Sequence, residues 1–284
     1  MELTGAVVVI TGASAGIGRA TALALGQRGS RLVLAARTES ALQEVAAEVE
    51  AAGGSALVVP TDLRDPVQVK ALAQQTLAHY GRVDALINNA GYIEYGPLSE
   101  VTETQLREQF EVNVFGLLLL TQGFIPTWMS QRQGRIINLS SIAGVLTLPF
   151  EGLYHASKYA VEALSDALRM ELAPFNIQVS VIQPGPVKTN FFDRAQETMA
   201  QLMPSSPYRA ILPKIQSQLS SLAQQGVAAE AVTEAILKAL TEDTPQDRYV
   251  VFPGGSLLLG TVRNLPTSWR DGLLKSTFGL DRPL

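Results

Sequence analysis

Seven short apolar runs recur along the chain, and between most of them lies a longer stretch in which apolar residues fall every three or four positions. The runs are AVVVI (6–10), RLVLAA (31–36), ALVV (56–59), DALI (84–87), RIINL (135–139), IQVSVI (177–182) and RYVVF (248–252). Near-continuous apolarity over so few residues is what a strand buried on both faces requires. The intervening segments ESALQEVAAEVEAAG (39–53) and PVQVKALAQQTLAHYG (66–81) have helical spacing and stop at glycine. Buried strands alternating with crossover helices predict an α/β fold built on a doubly wound, seven-stranded parallel sheet, because right-handed crossovers put helices on both faces. Two regions break the rhythm. Residues 190–226, rich in Met, Phe, Gln, Ser and Pro, read as an insertion with little secondary-structure signal of its own. Residues 253–284 read as a C-terminal extension. One domain is expected over 1–284, with its core at 5–190.

Composition narrows the chemistry. The chain has 284 residues, a net charge of −4, no cysteine and only two histidines, His79 and His155. That balance argues against a nucleic-acid partner, and the missing thiols remove disulfides and thiolate catalysis. A histidine-based zinc site is not expected, so the metal assignment is none. The N-terminus enters a strand almost at once, and apolar runs such as FGLLLL (115–120) are far short of the roughly 20 residues that span a bilayer. A cytoplasmic protein without a transmembrane segment is the expectation.

After the first strand comes TGASAGIG (11–18), with glycine at 12, 16 and 18 and a helical pattern beyond. A turn that opens a helix exposes unpaired N–H groups and a partial positive charge, which suit a pyrophosphate. Glycines there let the backbone come close. About 20 residues further on, a carboxylate would select a ribose 2′-hydroxyl and an arginine a 2′-phosphate. The chain reads LAAR, so Arg37 favours NADP(H), Ala36 brings no repelling carboxylate, and Ala15 adds no second cation.

Tyr154 and Lys158 are four apart in YHASKYAVEALSDALRMELAP, a helical pattern that ends at Pro174. They share one face. An ammonium beside a phenol favours the phenolate and draws its proton affinity toward working pH, which suits proton exchange with a carbonyl or alcohol oxygen. His155, one residue on, points about 100° away, and both histidines read as structural.

The glycine turn, NNAG (88–91), the serine of RIINLSS and YxxxK, in this order, resemble the short-chain dehydrogenase/reductase family over about residues 5–190. GVLTLPF through KTNFF is similar to its hydroxysteroid and retinol dehydrogenase branch. The resemblance implies a Rossmann fold and adds roles by position. Ser141 would orient the reacting oxygen, ahead of Ser140, and Asn113 would hold a water of the proton relay behind Lys158. Gly12, Ser14, Gly16, Ile17 and Gly18 would line the pyrophosphate, and Asp62, Leu63 and Asn89 the adenine and ribose side. Lys158 would touch the nicotinamide ribose beside Tyr154. Val187 and Thr189 would hold the carboxamide, in the cofactor-binding segment that begins at Pro184. A homodimer or homotetramer through the helices near 102–130 and 154–173 is expected from the resemblance alone.

Greasy segments surround these residues: Tyr92, Ile93 and Tyr95; Val145, Leu146, Leu148 and Phe150; and Phe191, Phe192, Met199, Leu202 and Met203. They suit a bulky hydrophobic ketone or secondary alcohol, with 190–226 closing as a lid. The expected function is NADPH-dependent carbonyl reduction, reversible as alcohol oxidation. Three readings compete: an NAD-linked hydroxysteroid or retinol-type dehydrogenase, a non-catalytic NADP(H)-sensing protein, and a lyase or epimerase using the same Tyr–Lys pair.

Overall fold

The computed structural model describes residues 1–202 and 205–282; some side chains within 190–226 and 253–284, those of Phe192 and Leu202 among them, fall outside the description, as does Met203. Seven strands form one sheet: β1 (Val7–Thr11), β2 (Arg31–Ala36), β3 (Ser55–Pro60), β4 (Ala85–Asn88), β5 (Gly134–Leu139), β6 (Ile177–Pro184) and β7 (Arg248–Val251). All pair in parallel, in the order β3-β2-β1-β4-β5-β6-β7. Each apolar run of the sequence is a strand, with ends displaced by at most two residues.

The period of two along the strands sorts side chains into two cores. Val8 and Ile10 of β1 face α1 (Gly16–Gly26), α2 (Glu39–Ala51) and α9 (Ala229–Thr241), and pack with Leu25, Leu42, Val49, Val232 and Ile236. Val9 points the other way, into the layer of α3 (Pro66–Tyr80), α5 (Gly116–Gln131) and α6 (Gly152–Leu172), and packs with Leu72, Leu120, Phe124 and Leu168. Helix ends follow local chemistry. Asp65 caps α3 by accepting from Val67 and Gln68 N–H, and Thr102 and Gln105 form a reciprocal box at the start of α4 (Glu103–Phe110). At the far end of α9 the buried Arg135 donates to the carbonyls of Ala239 and Glu242 at 2.8 and 2.7 Å, satisfying acceptors the helix leaves open.

Between α4 and α5 the helix widens into a π turn, Glu111–Phe115, so 103–131 is continuous and long and apolar enough to cross a membrane by length and composition. Counting apolar runs alone missed it. Phe124 and Trp128, both with no exposed surface, seat that helix in the core of the sheet.

The insertion departs from its expectation. It contains α7 (Asp193–Leu202) and α8 (Leu212–Gln225), and it rejoins the body through a parallel bridge between Val187 and Val227. Met199, Leu212 and Ile215 are buried while Glu197, Ala200 and Ser217 are exposed, the two sides of short amphipathic helices that a composition count reads as irregular. The extension likewise folds into α10 (Gly255–Asn264) and α11 (Thr267–Phe278).

Candidate active site

Strand order reverses between β1 and β4, and crevices at such a switch point, beyond the carboxyl ends of parallel strands, are where α/β sheets bind ligands. The glycine turn leaves β1 there and the NNAG segment leaves β4. Gly12 has φ +64°, and a Cβ on Gly18 would lie 2.2 Å from the Gly12 carbonyl oxygen and 2.6 Å from Asn89 Nδ2. Only hydrogen fits, so the first turn of α1 sits directly on the strand end. Asn89 secures the same contact by donating to the carbonyls of Thr11 and Gly12 at 2.9 and 3.1 Å. Ala15, the N-cap residue of α1, brings no side-chain cap, and the first turn has no acid. The backbone N–H groups of Gly16, Ile17 and Gly18, beside Ser14, are therefore left to an outside anion. A Cβ on Gly16 would meet Thr189 Cγ2 at 3.1 Å, so the segment after β6 closes on this turn.

At the other end of the crevice Arg37 follows β2, exposed and without a hydrogen bond or ion pair among the described residues. Its charge reaches Asp62, whose carboxyl is held below its usual range first by the Arg64 hydrogen bond. Arg64 is committed to Asp62 at 2.6 Å and Glu108 at 3.0 Å. Leu63 lies against the start of α5, where a Cβ on Gly116 would come 2.6 Å from its carbonyl oxygen.

Four expected catalytic residues come from three places: the end of β5, α6 and the π turn. Ser141 follows β5 and caps a short 3-10 turn, Ile142–Gly144, accepting from Ala143 N–H at 3.1 Å and donating to the Pro184 carbonyl at 3.3 Å. Its hydroxyl is near enough to Tyr154 of α6 to favour the ionised phenol. Lys158, one turn further, is buried and donates to the Leu139 carbonyl at 2.7 Å, with its Nζ 5.7 Å from the Tyr154 ring centre. Asn113 lies in the π turn. It accepts from Tyr92 N–H at 3.1 Å and donates to the Tyr92 carbonyl and Ser157 Oγ at 3.0 and 3.1 Å, fixing the segment after NNAG above the lysine.

The electrostatics correct one expectation. Burial, not the neighbouring ammonium, dominates the phenol: Tyr154 is pushed well above its ordinary value, and the Ser141 hydroxyl opposes the rise. Lys158 is itself pulled down by burial to about 8, against the pull of Glu162. Desolvation penalises either charge, so the pair rests as a neutral phenol beside an ammonium whose proton is loosely held.

Apolar side chains wall this centre. Ile93, Tyr95, Phe150, Met199, Leu212, Ile215 and Phe278 form one buried cluster with Tyr154, and Leu148, Phe191 and Tyr208 pack against it. Phe191 stands edge-on to Tyr154 with ring centres 5.8 Å apart. The cluster does not take in Tyr92, Val145 or Leu146. Phe278, from α11, packs at 6.5 Å from Phe150 and was not foreseen, since nothing in a distant tail signals a return to the site.

Of two further residues at the site, His155 has a structural role as its position suggested, and Glu162 escaped the sequence. His155 is buried, with Nδ1 2.8 Å from the Ala143 carbonyl and Nε2 accepting from Leu148 N–H at 3.3 Å, so the ring pins the loop that carries Ser141. Glu162 lies one turn past Lys158, a position the same i, i+4 spacing marks out.

Comparison with known proteins agrees with this geometry. The short chain dehydrogenase model matches residues 6–200. Oxidoreductase YbbO of Escherichia coli K12 is 35% identical over 269 residues, 94% of this chain and 93% of that protein. Dehydrogenase/reductase SDR family member 7B of Mus musculus is 41% identical over 194 residues, which is 66% of this chain but only 59% of the mouse protein. Among solved structures, a short chain dehydrogenase/reductase from Burkholderia phymatum in complex with NAD has a TM-score of 0.82 at 31% identity, covering 92% and 93% of the two chains. A metagenomic short-chain oxidoreductase in complex with NADP has a TM-score of 0.72 at 29% identity, covering 88% and 98%. Motifs, topology and relatives converge, and the chain belongs to the short-chain dehydrogenase family.

Proposed function

We propose that this oxidoreductase is an NADP(H)-dependent carbonyl reductase, reversible as an alcohol dehydrogenase, acting on a bulky hydrophobic ketone or secondary alcohol. One observation carries the reading: Ser141, Tyr154 and Lys158 meet at the base of an apolar-walled site, next to a glycine turn with no room for a Cβ. The cofactor supplies hydride when bound. Gly12, Ser14, Gly16, Ile17, Gly18, Asp62, Leu63 and Asn89 would hold its pyrophosphate, adenine and ribose, and Val187 and Thr189, in the segment that begins at Pro184, its carboxamide. Tyr154, kept neutral by burial, is ready to give its proton to a carbonyl oxygen that Ser141 orients, and Lys158, backed by a water that Asn113 would hold, refills the proton. The dry walls strengthen each of these polar contacts. Residues 190–226 act as the lid, with Met199, Leu212 and Ile215 as its inner face.

The branch resemblance and the mouse relative support a carbonyl and alcohol chemistry. Exposed Phe115, Leu119, Tyr159 and Met170 lie on or beside the two helices expected to mediate assembly and support a homo-oligomer. The NAD complex of the Burkholderia neighbour keeps the NAD-linked reading in play; Arg37 weighs against it. Loss of 340 nm absorbance with aryl and steroidal ketones, in parallel with NADPH and NADH, tests both. NADPH oxidation that depends on ketone and is lost in Tyr154→Phe supports the reading. Arg37→Asp should move preference toward NADH, and an unchanged preference would overturn the 2′-phosphate assignment.

A further inference from the structure

Behind Lys158, on the side away from the apolar walls, lies a set of charges that none of these roles uses. Glu162 is buried one helical turn past the lysine. Its Oε1 accepts from Gln183 Nε2 of β6 at 2.9 Å and its Oε2 from Arg248 Nε of β7 at 2.9 Å. Arg248 continues to Asp166 at 2.8 Å, Asp166 also accepts from Arg169 at 2.6 Å, and Arg169 faces Asp247 at 3.5 Å. Three carboxylates meet two guanidiniums, so one negative charge is left over. The ammonium of Lys158, one helical turn from Glu162, carries the opposite charge.

Lys158 and Glu162 are both buried beneath one turn. A Cβ on Gly144 would lie 2.9 Å from Glu162 Cγ and 3.1 Å from the Lys158 carbonyl, so the turn after Ser141 rests on α6 between the two residues and keeps water out. Other groups around the ammonium do not titrate: β5 gives the Leu139 carbonyl, and Gly91 and Asn113 approach from the segment after β4 and the π turn. The titratable neighbours are Tyr154 and Glu162 on α6, with Arg248 of β7 acting through Glu162. Tyr154 is neutral.

We propose that Glu162, clamped by Gln183 and Arg248, is the counter-charge that keeps the buried Lys158 cationic and aimed at the active site, which makes Glu162 and Arg248 positioning residues for the reaction. A buried ammonium with a single carbonyl partner sheds its proton unless an opposite charge is close. Glu162 is the residue that opposes this loss. Its own two hydrogen bonds stop it from swinging onto the lysine and leaving the ammonium misdirected. The catalytic consequence rests on the reductase reading; the charge pairing does not.

The test is a titration of the full chain carrying 13Cε-lysine, in which Lys158→Arg identifies the Lys158 resonance among the six lysines. Glu162→Gln should lower the Lys158 midpoint by about one pH unit, a tenfold loss of proton affinity, and Arg248→Met, which removes the cation offsetting Glu162, should raise it. Opposite signs mark a charge effect, since general loosening of the site would move both the same way. Each variant decides separately: an unmoved midpoint in Glu162→Gln, or a fall in Arg248→Met, overturns the proposal. The alkaline limb of the kcat/KM profile for ketone reduction should track the titration. Midpoints that move as stated without any ketone-dependent turnover would refute the reductase reading and leave the counter-charge standing.

Discussion

Lys158→Met replaces a buried cation with a side chain of similar length, and its effect on stability should depend on pH. The unfolded lysine titrates at 10.5 and the folded one at about 8. Between those values the unfolded chain holds a proton that the native state has released, so unfolding becomes harder as pH rises. Below the folded value the cost of burying the charge is complete, about 3 kcal/mol at 1.36 kcal/mol per pH unit. From about pH 7 to about pH 9.5 the wild type recovers about 2 kcal/mol of it. Methionine also leaves the Leu139 carbonyl without its donor, a pH-independent cost of about 1–3 kcal/mol. Urea unfolding of both proteins at the two pH values isolates the titration, because every other group is common to both. Relative to wild type, the variant should lose about 2 kcal/mol on going to the higher pH. A gap that stays constant, or moves the other way, would refute the placement of a buried ammonium here.

Gly18→Ala forces a methyl group to 2.2 Å from the Gly12 carbonyl oxygen, and NADPH affinity measured by calorimetry should fall more than about tenfold; an unaltered Kd would show that the turn does not receive the cofactor. Arg135→Met orphans two carbonyls at the end of α9, and chemical denaturation should report a loss of about 2–4 kcal/mol; a loss within experimental error would mean that water replaces the guanidinium there. Phe278→Ala removes a ring packed against Phe150 in the apolar cluster around Tyr154, so kcat/KM should rise for the bulkiest ketones of a graded series relative to the smallest. A uniform change across the series would place Phe278 outside the substrate site.

What the sequence disclosed is what local rules control. Strand positions follow from runs such as AVVVI, because a strand buried on both faces has no polar position to disguise it. The glycine turn announces itself because its backbone must approach another chain segment, and Tyr154 and Lys158 because a helix converts a spacing of four into a shared face. Ser141 and Asn113 became visible through resemblance, since a serine after a strand and an asparagine in a helix have ordinary uses. Phe278 was invisible for a physical reason: its importance is a contact across 128 positions with Phe150, which no window of sequence contains. The proton affinities were misjudged for a related reason. Charge proximity can be read from spacing, whereas desolvation depends on everything that folds over the site.

The π turn at Glu111–Phe115 has a consequence for how this chain can change length. Cutting one residue from it would restore ordinary helical hydrogen bonding, a local gain. It would also rotate everything downstream by about 100°, carrying Leu117, Leu120, Phe124 and Trp128 off the face they share toward the sheet. The surplus residue sets the phase between the part of the helix that presents Asn113 and the part that packs the core. A one-residue deletion here is therefore a graver lesion than most substitutions at the same positions, and a drift in length could be tolerated only if a compensating insertion followed before Leu117.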